Sequence, residues 1–348
     1  MKRIGIVGVG GMGTWHAARW KQLPVELTGF YDASPGAAGK AVEQFGGRAF
    51  ASLGDLLAAV DVVDVCTPTP HHKAPVLAAA AAGKDIVCEK PLARHLRDAQ
   101  EMVTTCQAAG VRLFVAQVVR FFHEFSRAKA ILDSGALGRP GLIRTVRGGS
   151  SPSVPPTGGD GREVPPSGER PWFADLEQSG GVIMDVSIHD VDFARWCLGD
   201  VERVFARGLD PAGHPPYGHA LILLRFKSGA IGHIEGSWAY PPGRFRTLFE
   251  IACDQGLVEF DSLAPAPLTV TLKSDVSLQA PGIPQYHSPL APQDDPYFLE
   301  LEHFLNCLER GDEFLVSPQD GLEAVKISLA AIESMRTGRP VDLDEFEE

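Results

Sequence analysis

Four groups of residues in this 348-residue chain have types and spacings that chemistry uses. The first is Gly8-x-Gly10-x-x-Gly13, which follows an apolar run, opens a helical pattern and precedes Asp32 by 19 residues, counted from Gly13. In that context the first glycine makes a tight turn, the second lets the backbone approach a pyrophosphate, and the third permits close helix–strand packing. The N–H groups of Gly11, Met12 and Gly13 at the helix start present partial positive charge to phosphate. Asp32 is placed to accept hydrogen bonds from ribose hydroxyls. A carboxylate there repels a 2′-phosphate, and "DASPGAAG" holds no Arg to neutralise one, so the predicted cofactor is NAD in preference to NADP.

The second group is "KDIVCEKPLA", 84–93, where Glu89, Lys90 and Pro91 follow directly on a buried-strand pattern. A lysine at the carboxyl end of a parallel strand opens onto the crevice where ligands bind, and the proline restricts the backbone behind it. The third, "CTPTPHH", 66–72, is a strand-end loop expected to lie across the same cofactor through Thr67, Pro68 and His72. His71 and His72 are read as starting the next helix and not as metal ligands. The fourth is "GGVIMDVSIHDVDFARWCLG", 180–199. Asp185 and His189 are four apart, so on a helix they share a face, and Asp192 falls beside them. A carboxylate that orients an imidazole suits proton transfer near neutral pH. No second His completes a zinc site there, so no metal is expected.

The elements that must position these groups change character along the chain. Up to residue 120, apolar runs alternate with helical patterns ending in Gly, which describes a parallel sheet covered on both faces. Ser34 and Pro35 read as the N-cap and first position of one such helix. Beyond 120, "HALILLRFKSGAIGHIEGSWA" and "RTLFEIACDQGLVEF" each read as two strands around a tight turn, hence antiparallel. Helices are expected near 294–310 and 319–337. The predicted architecture is α/β: a doubly wound dinucleotide-binding domain over 1–120, then a second α/β domain over 121–348 on an open, mainly antiparallel sheet. The segment 148–168 is rich in Gly, Pro and Ser and reads as a surface loop or a lid.

Net charge is −12, from 32 basic and 44 acidic residues, which argues against nucleic acid and anionic membrane as partners. No apolar run approaches the roughly 20 residues that span a bilayer. "MKRIGIVGVGG" enters a strand at once, without a signal peptide's apolar core, and the six cysteines show no paired spacing. The expected compartment is the cytoplasm.

Taken together, "GIVGVGGMG", "CTPTPHH", "AAGKDIVCEKPLA", "GGVIMDVSIHDVDFARWCLGD" and "SMRTGRPV" resemble the Gfo/Idh/MocA family, the glucose–fructose oxidoreductase and inositol dehydrogenase group. The resemblance covers essentially the whole chain. It implies an N-terminal Rossmann domain, a C-terminal domain whose open sheet often forms a dimer interface, and hence a homodimer or homotetramer. It implies hydride transfer between a nicotinamide and a sugar, polyol or cyclitol. The family lysine falls on Lys90, its Asp-x-x-x-His pair on Asp185 and His189, and its arginine on Arg120. Lys90, Arg120, Asp185, His189 and Asp192 are thereby the expected substrate contacts, with Glu89 beside the cofactor. The long, Pro-rich 148–168 segment departs from the family pattern, so no member's substrate is carried over. Two other functions keep the same fold: a redox relay with tightly held NAD, and a non-catalytic dinucleotide sensor.

Overall fold

A computed structural model describes residues 1–150, 172, 175–209, 218–241, 243–264, 267–272, 277–279 and 294–348. From residue 151 onward the expected 148–168 loop lies outside the described residues. The chain divides into two compact units, Met1–Phe122 with Ser288–Glu323, and His123–His287 with Ala324–Glu348.

The first unit alternates strand and helix as β1 (Arg3–Val7), α1 (Gly11–Trp20), β2 (Glu26–Tyr31), α2 (Pro35–Phe45), β3 (Arg48–Ala49), α3 (Leu53–Ala59), β4 (Val62–Val65), α4 (Lys73–Ala81), β5 (Asp85–Glu89), α5 (Leu96–Ala109) and β6 (Leu113–Ala116). Its strands lie in the order β3-β2-β1-β4-β5-β6 and every pairing is parallel. Ile4, Ile6, Val63, Val65, Val87 and Phe114 are wholly buried, as strands covered on both faces require. The strand order reverses between β1 and β4, so the carboxyl ends of those strands flank the crevice where a doubly wound sheet binds its ligand.

The second unit contains α6 (His123–Asp133), β7 (Pro140–Gly148), α7 (Leu176–Ser179), α8 (Ile188–Leu198), β8 (Val201–Leu209), β9 (His219–Phe226), β10 (Ile231–Ser237), β11 (Arg246–Cys253), β12 (Gly256–Asp261), β13 (Leu268–Leu272) and β14 (Ser277–Gln279). After these come α9 (Pro296–Arg310), α10 (Pro318–Thr337) and β15 (Val341–Asp342). The sheet runs β14-β13-β12-β11-β7-β10-β9-β8-β15, with only the β7–β10 pair parallel among the described residues. Both expected hairpins are present, as β9–β10 and β11–β12. Strict alternation on β9 buries Ala220, Ile222, Leu224 and Phe226 and turns Leu221 and Leu223 outward. The inner face meets α6 and α8 through an aromatic cluster: Phe193 lies 4.8 Å from Phe125 and 5.2 Å from Phe249, centroid to centroid.

Helix α9 belongs to the first unit, although it follows the second sheet in sequence. Asp295 caps it by accepting from Tyr297 N–H at 3.0 Å, Pro296 opens it, and Phe304 packs edge-on to Trp20 and against Phe114. Arg19, in the last turn of α1, donates to Asp295 at 2.9 and 2.6 Å, tying the end of α1 to the start of α9.

Just before α8 the helix widens into a π turn, Ile183–Ser187, seated on β10. A Cβ on Gly236 of β10 would lie 2.0 Å from Ser187 Oγ and 3.3 Å from its Cβ. Gly236→Ala is therefore expected to lower stability by about 1–3 kcal/mol through overpacking. Adding Ser187→Ala should recover most of that loss, since it removes the nearest atom. Urea unfolding midpoints of the single and double variants decide it, and an unchanged midpoint for Gly236→Ala means the π turn yields freely.

Candidate active site

The glycine turn is shaped by two close approaches. Gly8 has φ +88°, and a Cβ there would meet Thr67 N at 2.7 Å; a Cβ on Gly13 would lie 2.0 Å from the Gly8 carbonyl oxygen. At Gly10 and Gly11 a Cβ would meet nothing within 4 Å, so these residues offer bare backbone to a ligand. A pyrophosphate fits that cradle, on the N-terminus of α1. Asp32 is fixed from both sides: Oδ2 accepts from Val9 N–H at 2.9 Å and Oδ1 from Ser34 N–H at 2.7 Å. Ser34 occupies the N-cap position of α2 but its hydroxyl caps nothing; Asp32 takes the Ser34 amide instead. A hollow of about 420 Å³ opens beside it, lined by Val9, Thr14, Ser34, Ala37, Lys40 and Gln44 among others.

Thr67 and Pro68 follow β4 at the switch point, and the buried Thr67 Oγ1 has no hydrogen-bond partner among the described atoms. An orphaned hydroxyl beside the glycine turn is what a missing ligand leaves behind. His72, expected on the cofactor side, follows in the same loop. Its ring is buried, with Nδ1 2.9 Å from Pro91 O and Nε2 2.8 Å from Thr67 O. Both nitrogens face backbone carbonyls, so the ring ties the loop after β4 to the peptide after Lys90. Burial pushes its pKa down.

Lys90 stands directly past β5, half-buried, with a cis bond to Pro91. Register pairs Glu89 with Ala116 of β6, which sets Lys90 at the carboxyl edge of the sheet. Lys90 N–H donates to Glu89 Oε2 at 2.9 Å. Beneath it lies a buried polar group that sequence reading did not single out. His16 of α1 is fully buried, its Nδ1 2.9 Å from Asp64 Oδ2 and its Nε2 3.1 Å from Glu89 Oε1. Trp20 Nε1–H donates to Asp64 at 2.7 Å and the Cys66 thiol at 3.3 Å. Glu300 of α9 is fully buried beside them. Burial and the nearby Glu89 push the Glu300 carboxyl well above the ordinary range. Burial disfavours charge on His16, but Cys66 and Asp64 outweigh it and hold the ring well above 6.5. Asp64 inside the otherwise apolar "VVDVC" was the available signal, because charged residues enter buried strands only with partners.

Arg120 is nearly wholly buried in the first unit, donating to Leu315 O at 2.8 Å and 3.3 Å from Asp320 Oδ2. Those contacts anchor a guanidinium that the resemblance assigned to substrate.

In the second unit, Asp185 lies in the π turn and His189 near the start of α8, both half-buried, with Asp192 buried one turn on. π turns of this kind frequently mark functional sites. Asp190, on another side of α8, is held by Arg147 of β7 at 2.7 and 3.2 Å, a buried pair that fixes the helix to the sheet. None of the six cysteines is joined in a disulfide.

Two outcomes follow from this geometry. Asp32→Ser should weaken NAD and improve NADP, because it removes a ribose acceptor and the repulsion of a 2′-phosphate, leaving Lys40 in the adjoining hollow as its cation. Titration of both cofactors checks it; an unchanged preference rules it out. His16 and Glu300 are held protonated where the unfolded chain, with pKa values of about 6.5 and 4.3, has released those protons. Such groups contribute stability that is full below the unfolded pKa and lost as pH rises through the folded one. Melting temperature should therefore fall from about pH 5 towards pH 9, and Glu300→Gln should flatten the early part of that fall. A thermal-melt series in which Glu300→Gln keeps the wild-type slope removes the carboxyl from this account.

Comparison with known proteins accords with this geometry. Residues 2–117 match the profile of the Gfo/Idh/MocA oxidoreductase family, NAD-binding Rossmann fold, and residues 125–259 match the Gfo/Idh/MocA C-terminal domain. The chain is 30% identical over 355 residues to myo-inositol 2-dehydrogenase of Thermotoga maritima, covering 99% of each. It is 31% identical over 292 residues to D-apiose dehydrogenase of Rhizobium rhizogenes, covering 81% of this chain and 79% of that one. It superposes with a TM-score of 0.83 and 28% identity on an oxidoreductase from Agrobacterium radiobacter crystallised with NAD+, L-tartaric acid and magnesium, covering 99% and 98% of the two chains. With a glycine turn, a strand-end Asp32 and the profile of both domains, the chain belongs to the Gfo/Idh/MocA family of oxidoreductases, and its N-terminal domain is an NAD-binding Rossmann fold.

Proposed function

We propose that the chain is an NAD-dependent dehydrogenase that moves a hydride between the nicotinamide and a hydroxyl or carbonyl carbon of a sugar, polyol or cyclitol. The observation that carries this reading is the position of Lys90, past the carboxyl end of β5 in a sheet whose β1 turn offers bare backbone to a dinucleotide. The sugar, polyol or cyclitol class is supported by relatives named for myo-inositol and D-apiose. Bound NAD supplies the hydride acceptor. Lys90 stabilises negative charge developing on the substrate oxygen. His189 takes the hydroxyl proton and Asp185 orients its ring. Imidazole, with an unperturbed pKa of about 6.5, suits that transfer. Arg120 and Asp192, both buried, are proposed as further substrate contacts.

The proposed division of labour places cofactor binding on 1–120 and substrate binding with self-association on 121–348. The outward Leu221, Leu223 and Ile231 of β9 and β10 support self-association into a homodimer or homotetramer. Six cysteines outside any disulfide, and no helix among the described residues long and apolar enough to cross a membrane, support a cytoplasmic location.

An absorbance screen for NADH with polyols, inositols, aldoses and sugar acids tests the reading. Turnover of a sugar without release of NADH replaces it with an internal relay; no turnover of any of them defeats it. With a substrate in hand, His189→Ala should cut turnover by roughly 10²–10⁴-fold while NAD affinity barely changes. Lys90→Ala should also lose turnover, and Lys90→Arg should not restore it, because the fork geometry differs from a point charge.

A further inference from the structure

The mechanism above leaves His16, Asp64 and Glu300 without a role, yet all three are buried and His16 reaches Glu89, the residue before Lys90. His16 lies one turn beyond Gly13 on α1, the helix whose N-terminus offers the phosphate cradle. Both ring nitrogens face carboxylates, Nδ1 towards Asp64 at 2.9 Å and Nε2 towards Glu89 at 3.1 Å; the second is an ion-pair approach without hydrogen-bond alignment. A neutral imidazole would turn a lone pair towards one of those oxygens, whereas the imidazolium carries a proton to both. The other neighbours agree with a charged ring. Trp20 and Cys66 donate to Asp64, and Glu300, facing Glu89 from α9, is the member kept protonated. Glu89 completes the line: Oε1 is turned to His16 and Oε2 accepts the Lys90 N–H at 2.9 Å.

We propose that His16 is a positioning residue for Lys90: carried as an imidazolium on the phosphate-binding helix, it fixes the Glu89 carboxylate, whose second oxygen holds the Lys90 peptide at the end of β5. This rests on the reading of Lys90 as the group that acts on the substrate oxygen. The arrangement joins the seat of the pyrophosphate to the seat of the ammonium through two side chains. A histidine that served only to anchor α1 to the sheet would affect every element it touches alike. A positioning residue acts selectively at Lys90.

The test uses the full chain with ¹⁵N-labelled histidine, the His16 signals being those that vanish in His16→Gln. In wild type both ring nitrogens should be protonated at neutral pH. The Lys90 amide should exchange with solvent about 10- to 100-fold faster in His16→Gln, the scale of one charge-assisted hydrogen bond, while Val87 and Cys88 within β5 keep their protection. Turnover should fall by about tenfold or more with the KM for NAD unchanged, and His16→Gln combined with Glu89→Gln should be no slower than Glu89→Gln alone. A neutral His16 ring in wild type overturns the proposal, as do exchange that quickens uniformly along β5 and losses of turnover that multiply. Should His16→Gln not fold, Glu89→Gln, which keeps an oxygen for the Lys90 amide, takes its place, with the ring signals then recognised by their response to it. A wild-type protein that oxidises no polyol defeats the functional reading, while ring charge and Lys90 exchange still decide this one.

Discussion

Gly13 approaches the Gly8 carbonyl so closely that even one carbon at its Cβ position would stand 2.0 Å from that oxygen. The rest of the first unit depends on this contact. It lowers the start of α1 onto the turn after β1, and the axis of α1 then aims its free N–H groups at the space above the sheet. The same descent drives the opposite face of α1 into β4 and β5, so that residues one and two turns on, His16 and Trp20, meet Asp64. It also presents Arg19 to Asp295, which secures α9 against α1. A larger residue at 13 would lift the helix, and with it the phosphate cradle, the buried histidine and the return of α9 together.

This explains why the buried polar network is compatible with folding. Isolated charges in a core are costly, and a network is tolerated only where each member is answered. Asp64 accepts from Trp20 and Cys66 and faces His16, and His16 stands between Asp64 and Glu89. Glu300 is the exception among them, since neither of its oxygens has a hydrogen-bond partner among the described atoms, and its pKa is pushed up accordingly. Such arrangements contribute little net stability relative to apolar packing, but they admit one geometry only. That geometry extends to Glu89 and the Lys90 amide at the sheet edge.

Much of this was legible in the sequence, for reasons that differ by element. The glycine spacing and Asp32 were readable because backbone geometry admits few alternatives at those positions. The hairpins β9–β10 and β11–β12 were readable because alternation and turn residues are local signals. The return of α9 was not, since an apolar stripe on a helix announces that it has a partner without naming it. His72 shows a subtler limit: its neighbourhood was legible, but not that its ring would turn inward to two backbone carbonyls. The same holds for Arg120, whose composition says only that a guanidinium must be answered somewhere. Asp190 and Arg147, 43 residues apart, carry no mark of their pairing in sequence. The π turn before α8 is likewise invisible to a periodicity argument, because Asp185 and His189 satisfy helical spacing whether or not the helix widens between them.

The charge distribution reconciles an acidic protein with an anionic cofactor. A chain of net charge −12 repels anions at long range, but that field is screened beyond about 8–10 Å at ordinary ionic strength. At contact distance the phosphate cradle is made of amide N–H groups and a helix terminus, which need no net positive charge nearby. Asp32 adds a negative group where a ribose hydroxyl, a donor, is expected, and so discriminates against a further phosphate there. Lys90 is the positive group set at the edge of the same sheet, above a buried cluster rich in carboxylates. In the proposed reading the polarity of the site is assembled from short-range parts: amides for the diphosphate, a carboxylate for the ribose, an ammonium for the developing oxyanion. The overall charge is left free to serve solubility.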